Sequence, residues 1–193
     1  MAVTDFVIVS YNSTRDVGRL LLQLDMTFAH PHTVTVIDNT HNNRGFAKAC
    51  NLGAQQGSGE YVAFLNPDII LCPGWADPVR NAFEHDPSLI ISGPRLDDGM
   101  AWPRDVASNG ITNWVCGACF FVRRAFFVSV GGFDERFFFG YEETDLIRRA
   151  EGAGYRVETV GEPRVKHLCS MSPQHDRLYR ASRAVYRDKW GAA

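Results

Sequence analysis

Several features of other protein classes are missing from the sequence. No apolar run reaches the roughly 18 residues that a membrane span needs, and the N-terminus has no signal-peptide pattern. A net charge of −2 argues against binding nucleic acid through overall charge. The five cysteines are odd in number and scattered, which is typical of reduced thiols. We therefore expect a cytoplasmic protein with no membrane span and no nucleic-acid partner.

The turn after the first predicted strand contains no glycine. It reads SYNSTRD from Ser10 to Asp16, whereas a dinucleotide-binding fingerprint needs G-x-G-x-x-G there so that the backbone can approach a pyrophosphate. Gly53, Gly57 and Gly59 follow a predicted helix with the wrong spacing, and a P-loop is also absent. The sequence thus disfavours the usual redox enzymes and ATPases.

Apolar runs rich in β-branched residues alternate with segments of helical spacing, which predicts an α/β fold. We expect a single domain over residues 1–193, with a mostly parallel central sheet flanked by helices. Residues 94–114 are polar and irregular and predict a mobile loop. The predicted strands are Phe6–Val9, Val34–Ile37, Tyr61–Leu65, Leu89–Ile91, Ala118–Val122 and Arg156–Val160.

Polar side chains follow the first three predicted strands at the points where those strands end. In open α/β sheets, ligands bind beyond the carboxyl ends of the strands, so these side chains predict a binding site. Two of the three strand ends carry a carboxylate. The candidates, in chain order, are Ser10, Tyr11, Asn12, Asp38, Asn66 and Asp68.

Six segments resemble the family 2 glycosyltransferases in content and in order. They are VIVSYNS, VIDNT, NRGFAKACNLG, YVAFLNPDI, GGFDERFFFGYEETDLIRRAEGAGYRV and VKHLCSMS. The resemblance covers roughly residues 5–172 and is strongest to the branch that transfers rhamnosyl and galactofuranosyl groups. It implies a glycosyltransferase A-type fold, a nucleoside diphosphate-sugar donor of uridine or thymidine type, a manganese or magnesium ion, and inversion at the anomeric carbon.

The resemblance also implies a metal site. Asp68 stands where the family has the second acid of its Asp-x-Asp motif, and Asn66 replaces the first. His167 stands where a histidine completes the metal shell. A hard divalent cation with such ligands would neutralise the charge of a departing diphosphate. The alternative is that Asn-Pro-Asp is only a turn and His167 a structural residue.

Asp38, Arg44 and Asn51 are three further candidates for binding the nucleotide. Asp38 resembles the acid that reads the base or ribose, and a carboxylate can accept the ring N–H of a pyrimidine. Arg44 and Asn51 flank the start of the second helix, where a cation and helix N–H groups could face phosphate. Alternatively, Asp38 caps a strand end and Asn51 buttresses a turn.

An acidic cluster opens the helix after the aromatic run Phe137–Tyr141. Acidic residues in the first turn of a helix can be purely structural, because they interact favourably with the helix dipole. Glu143, however, aligns with the general base of the family, where aspartate is the usual residue. The extra methylene moves the carboxylate by roughly 1.5 Å, which leaves Glu142 as an alternative base. We place Trp114, Gly117 and Asp145 on the acceptor side.

The predicted activity is transfer of a sugar to a hydroxyl acceptor, which is a glycan or another molecule. The sequence does not decide whether the enzyme forms oligomers. Residues 1–93 would bind the nucleotide-sugar, and residues 94–193 would carry the acceptor and catalytic groups. A catalytically silent sugar-nucleotide-binding module and a nucleotidyltransferase are the alternatives. His175 and the arginines of the C-terminal segment would either close over the diphosphate or form a solvated helix face.

Overall fold

The computed structural model describes residues 2–97, 107–169 and 173–191. Residues 98–106 of the predicted loop therefore lie outside the described residues. Within the described residues, the strands are β1 Thr4–Ser10, β2 His32–Asp38, β3 Tyr61–Leu65, β4 Ile69–Leu71, β5 Leu89–Asp97, β6 Cys119–Arg123 and β7 Arg156–His167. The α-helices are α1 Thr14–Thr27, α2 Phe46–Ala54, α3 Asp77–His85, α4 Arg124–Ser129, α5 Glu142–Gly152 and α6 Pro173–Trp190, and a 3₁₀ turn covers Ala107–Asn109.

The strands form one sheet in the order β2-β1-β3-β6-β5-β7-β4. Pairing is parallel for β1 with β2, β1 with β3 and β5 with β7, and antiparallel for the other three neighbours. The α/β prediction is confirmed, but three of the six pairings are antiparallel, so the sheet is mixed and not mostly parallel. Five of the predicted strands lie within observed ones, the sixth begins one residue before β6, and β4 is additional.

Two strands extend beyond the predicted runs. β5 continues to Asp97 and β7 to His167, because Leu96 and Asp97 pair with Val165 and Lys166. Residues 94–97 therefore belong to the sheet and not to the predicted loop. Polar residues conceal this extension in the sequence.

Apolar residues cover both faces of the sheet, as alternation along β1 illustrates. Val7 and Val9 join the cluster under α2 and α5, while Phe6 and Ile8 join the cluster under α1 and α3. Burial on both faces explains why the strands read as continuous apolar runs. Among the described residues we find no helix with the length and hydrophobicity of a membrane span.

Candidate active site

A cleft of about 470 Å³ opens at the edge of the sheet where β1, β2 and β3 end. One wall consists of the loops that follow these parallel strands, and the other includes the aromatic segment before α5 and the start of α6. Five of the predicted site residues line the cleft: Tyr11, Asn12, Asn66, Asp68 and His167. These five side chains, predicted from the strand ends and from the family resemblance, thus lie in one cleft of the structure.

The two predicted metal ligands lie side by side in this cleft. β4 and β7 pair antiparallel with Ile69 opposite His167, and the Leu168 N–H donates to the Asp68 carbonyl at 3.0 Å. This pairing sets His167 Nε2 3.3 Å from Asp68 Oδ1. The two side chains remain 16% and 22% exposed, so both are open to the cleft.

The separation of these two atoms fits a shared divalent cation. With metal–ligand distances of about 2.1 Å, neighbouring ligands of an octahedral ion lie about 3 Å apart, close to the 3.3 Å observed. No group of three or more His, Cys, Asp or Glu side chains suited to a metal occurs in the described part of the chain. Two protein ligands would leave positions for phosphate oxygens and water, as is common for cations bound with nucleotides.

The other ring nitrogen of His167 contacts a cysteine. Cys169 Sγ lies 3.3 Å from His167 Nδ1. A second contact of this kind fixes the ring orientation of a ligating histidine. The imidazole is thus held from one side and presents Nε2 to Asp68.

The loops after β1 and β2 are tied together next to Asp38. The Thr40 N–H donates to Asp38 Oδ1 at 2.8 Å, and the Asn12 N–H donates to Thr40 Oγ1 at 3.2 Å. Hydrogen bonds from the Thr40 side chain and backbone lower the pKa of Asp38. Asp38 itself is exposed, and its neighbour Asn39 lines the cleft. The carboxylate is therefore ionised and positioned at the cleft border.

Ser10 lies beneath the cleft and does not line it. It is 5% exposed, its hydroxyl lies 3.2 Å from Ser13 Oγ, and its carbonyl accepts the Asn39 N–H at 2.8 Å. Ser10 thus positions Ser13, which does line the cleft. Ser10 itself is therefore not part of the cleft surface, in contrast to the prediction.

The predicted phosphate site at the start of α2 needs correction. The Asn51 amide is occupied by the backbone of Phe133, which it meets at 2.9 Å through both its nitrogen and its oxygen. The first N–H of α2, on Phe46, donates to the Phe138 carbonyl at 2.7 Å. Asn51 and Arg44 do not line the cleft. The segment before α5 folds over α2 and closes the helix end that the sequence left open.

The two adjacent glutamates have different surroundings. Glu142 is 5% exposed, and its Oε2 has no hydrogen-bond partner among the described residues. Burial, followed by the charge of Glu143, raises the pKa of Glu142 well above its usual range. Glu143 is only partly buried. Burial also raises the pKa of Glu143, while hydrogen bonds from the backbone, from Thr144 and from the Trp114 side chain oppose the rise.

The structure brings Glu143 together with two of the predicted acceptor-side residues. The Trp114 side chain interacts with Glu143 and lowers its pKa, and Gly117 lies so close that an added Cβ would come within 3.2 Å of Glu143 Cδ. Because Glu143 is the more accessible glutamate, this arrangement favours it over Glu142 as a proton acceptor.

A family model described as glycosyl transferase family 2 matches residues 4–149. The chain belongs to this family. It is 26% identical to an N-acetylglucosaminyl-diphospho-decaprenol L-rhamnosyltransferase of Mycobacterium tuberculosis, covering 90% of this chain and 78% of that protein. It is 28% identical to the O-antigen biosynthesis protein RfbC of Myxococcus xanthus, covering 95% of this chain and 16% of that protein.

Solved structures share the fold. A mannosyltransferase from Pyrobaculum calidifontis, in complex with GDP-Man and Mn²⁺, matches with a TM-score of 0.66 and 17% identity. That match covers 95% of this chain, which spans 61% of the other. GalNAc-T7 with UDP, GalNAc and Mn²⁺ matches with a TM-score of 0.71 and 16% identity, covering 98% and 48%. The predicted family and A-type fold are confirmed.

In this glycosyltransferase Asp145 is structural, which corrects the prediction that it faces the acceptor. It is fully buried and accepts hydrogen bonds from Arg149 Nε at 2.9 Å and Trp190 Nε1 at 2.8 Å. Lys189 Nζ lies 2.7 Å from Asp145 Oδ1, the oxygen that also accepts from Trp190. Asp145 thus anchors the end of α6, a role that depends on partners far along the chain.

The start of α6 completes the cleft of the glycosyltransferase. His175 and Leu178 line it, and His175 stacks on Phe139 with ring centroids 4.9 Å apart. The arginines at positions 177, 180 and 183 are exposed, which favours a solvated face. Sequence reasoning missed the wall formed by Phe138 and Phe139, although the aromatic run before the acids was its signal.

Proposed function

We propose that this glycosyltransferase moves a sugar from a nucleoside diphosphate donor to a hydroxyl acceptor, with inversion and with a divalent cation at Asp68 and His167. The main support is the 3.3 Å approach of these two side chains at the cleft. Their donor atoms and spacing fit manganese or magnesium. The sugar nucleotides and Mn²⁺ bound to the structural neighbours agree with this proposal.

The donor would enter with its base toward Asp38. The ionised carboxylate accepts a hydrogen bond and suits the ring N–H of uracil or thymine. The relatives include proteins named rhamnosyltransferase, so rhamnosyl donors are the first to test. The hydroxyl acceptor would approach from the side of Trp114.

Glu143 would act as the general base. It takes the proton of the acceptor hydroxyl while that oxygen bonds to the anomeric carbon and the bond from this carbon to the diphosphate oxygen breaks. A single displacement from the opposite face inverts the configuration. When bound, the cation would neutralise negative charge on the leaving diphosphate. Burial raises the pKa of Glu143 toward neutral pH. A general base is most effective when its pKa lies near the operating pH.

Release of nucleoside diphosphate from a panel of nucleotide-sugars, with Mn²⁺ or with EDTA, tests the proposal. We expect Mn²⁺-dependent turnover, loss of Mn²⁺-dependent donor binding in Asp68→Ala, and preserved binding in Glu143→Gln. Loss of a general base lowers turnover by about 10²-fold or more. Glu162→Gln, an exposed acid on β7, is the matched control and should behave as wild type.

Other outcomes identify the alternatives. Donor binding without turnover would indicate a silent module, and pyrophosphate release from a nucleoside triphosphate would indicate a nucleotidyltransferase. Unchanged Mn²⁺ affinity in Asp68→Ala would contradict the metal assignment. Normal turnover in Glu143→Gln would contradict the base assignment.

A further inference from the structure

Gly117 is a glycine that its backbone conformation does not require. It lies in the turn before β6, closed by a hydrogen bond from the Cys119 N–H to the Cys116 carbonyl at 3.1 Å. Its φ lies outside the left-handed region, in contrast to Gly110 with φ +66° in the same loop. A residue with a side chain can therefore adopt this backbone. The reason for glycine at this position must be space.

Glu143 occupies that space. A Cβ added to Gly117 would meet Glu143 Cδ at 3.2 Å, Cγ at 3.3 Å and Oε2 at 3.5 Å, and these are its three nearest neighbours. Two of the distances are shorter than ordinary contact between carbon atoms. The Glu143 side chain thus occupies the space that a side chain at Gly117 would need.

Two neighbouring side chains interact with the Glu143 carboxylate. Trp114 and Thr144 both lower the pKa of Glu143. Trp114 is itself fixed, since its carbonyl accepts the Thr159 hydroxyl at 2.6 Å. A new methyl group at Gly117 would therefore shift the Glu143 carboxylate relative to these two side chains.

We propose that Gly117 is a positioning residue for Glu143, and that its absent side chain fixes where the glutamate carboxylate lies next to Trp114. The contact between Gly117 and Glu143 is a matter of geometry and does not depend on the proposed function. The effect of this contact on turnover rests on the proposed function, in which Glu143 is the base.

A kinetic cycle of Gly117→Ala, Glu143→Asp and the double variant tests the proposal. Small misplacements of a catalytic group are costly, so we expect Gly117→Ala to lower kcat by about 10-fold or more with donor KM changed less than about 2-fold. The shorter aspartate leaves room for the methyl group. In the Glu143→Asp background, Gly117→Ala should therefore cost less than about 2-fold. The same loss in both backgrounds, or an unchanged kcat in Gly117→Ala, would overturn the proposal.

The indole N–H signal of Trp114 in a ¹H–¹⁵N spectrum gives a readout that does not need turnover. The sequence has four tryptophans, and Trp114→Phe assigns the signal. We expect Gly117→Ala to displace it in the wild-type background and much less in Glu143→Asp. Gly152→Ala, in the same helix as Glu143 but with open space around its Cβ, is the control and should leave it in place. An unmoved signal in Gly117→Ala would overturn the proposal that Gly117 positions Glu143. Absent turnover with a displaced signal would count only against the proposed function.

Discussion

Two aspartates at opposite ends of the same sheet serve different purposes. Asp5, at the amino end of β1, is enclosed by donors: the Thr33 hydroxyl at 2.5 Å, the Gly59 N–H at 2.6 Å and Arg124 Nη2 at 2.6 Å. Only 4% of its side chain is exposed. A buried carboxylate enclosed by these three donors within the protein is a structural group.

Asp68, at the carboxyl end of β3, faces a cleft. His167 Nε2 lies 3.3 Å from its Oδ1, and 22% of its side chain is exposed. Both acids have a basic residue nearby, so such a neighbour does not distinguish them. The difference lies in how far each carboxylate is exposed. At the amino end the charge of Asp5 is paired within the protein, whereas at the carboxyl end the charge of Asp68 remains accessible from the cleft.

Asp5→Ala should have the largest effect on stability. Removal of one partner from a buried ion pair costs about 3–5 kcal/mol because the other charge remains buried. In a domain of this size that loss corresponds to a fall in Tm of roughly 6–20 °C. Urea unfolding followed by circular dichroism measures it.

Asp68→Ala is the matched control for this prediction. Substitution at a partly exposed acid usually changes stability by only about 0.5 kcal/mol, so its Tm should stay close to that of wild type. If both variants lost the same stability, the distinction between the two ends of the sheet would fail. A loss below about 1 kcal/mol in Asp5→Ala would also contradict it.

The same distinction explains what could be predicted from the sequence. The strands were predictable because burial on both faces makes them continuous apolar runs. The proximity of Asp68 and His167 was predictable because each lies in a segment that resembles the family. Asn51 and Asp145 were assigned to the site from their sequence neighbours alone. Their hydrogen-bond partners, Phe133 and Trp190, lie far along the chain and show that both side chains are structural.

Glu142 sharpens the comparison because it is as buried as Asp5 but has no cation paired with it in the described part of the chain. Its pKa in the folded state is raised above the usual value of 4.5, chiefly by burial. The folded state therefore binds more protons than the unfolded state between 4.5 and the raised pKa. Stability from this group is present at low pH and is lost as pH rises through that range.

Glu142→Gln should flatten this pH dependence. We expect the decrease in Tm from pH 5 to pH 8 to be smaller in the variant than in wild type by at least about 2 °C, the shift that roughly 1 kcal/mol produces in a domain of this size. Differential scanning calorimetry at both pH values measures it. Glu162→Gln, at an exposed position, should keep the wild-type slope. An equal slope in Glu142→Gln would show that this carboxyl does not titrate differently on folding.

Thr40→Val should have the smallest effect, and it tests the accessible end of the sheet. Valine keeps the shape and the backbone N–H that donates to Asp38 Oδ1, but it removes the hydroxyl that also lowers the pKa of Asp38 and accepts the Asn12 N–H. A hydrogen bond contributes about 1 kcal/mol, so donor affinity should fall by about 5-fold while Tm changes little. Isothermal titration with a nucleoside diphosphate measures the affinity, and Thr40→Ser should restore it. A large fall in Tm with unchanged affinity would contradict this prediction. Asp38 and Thr40 would then stabilise the fold, as Asp5 does, and would not bind the donor.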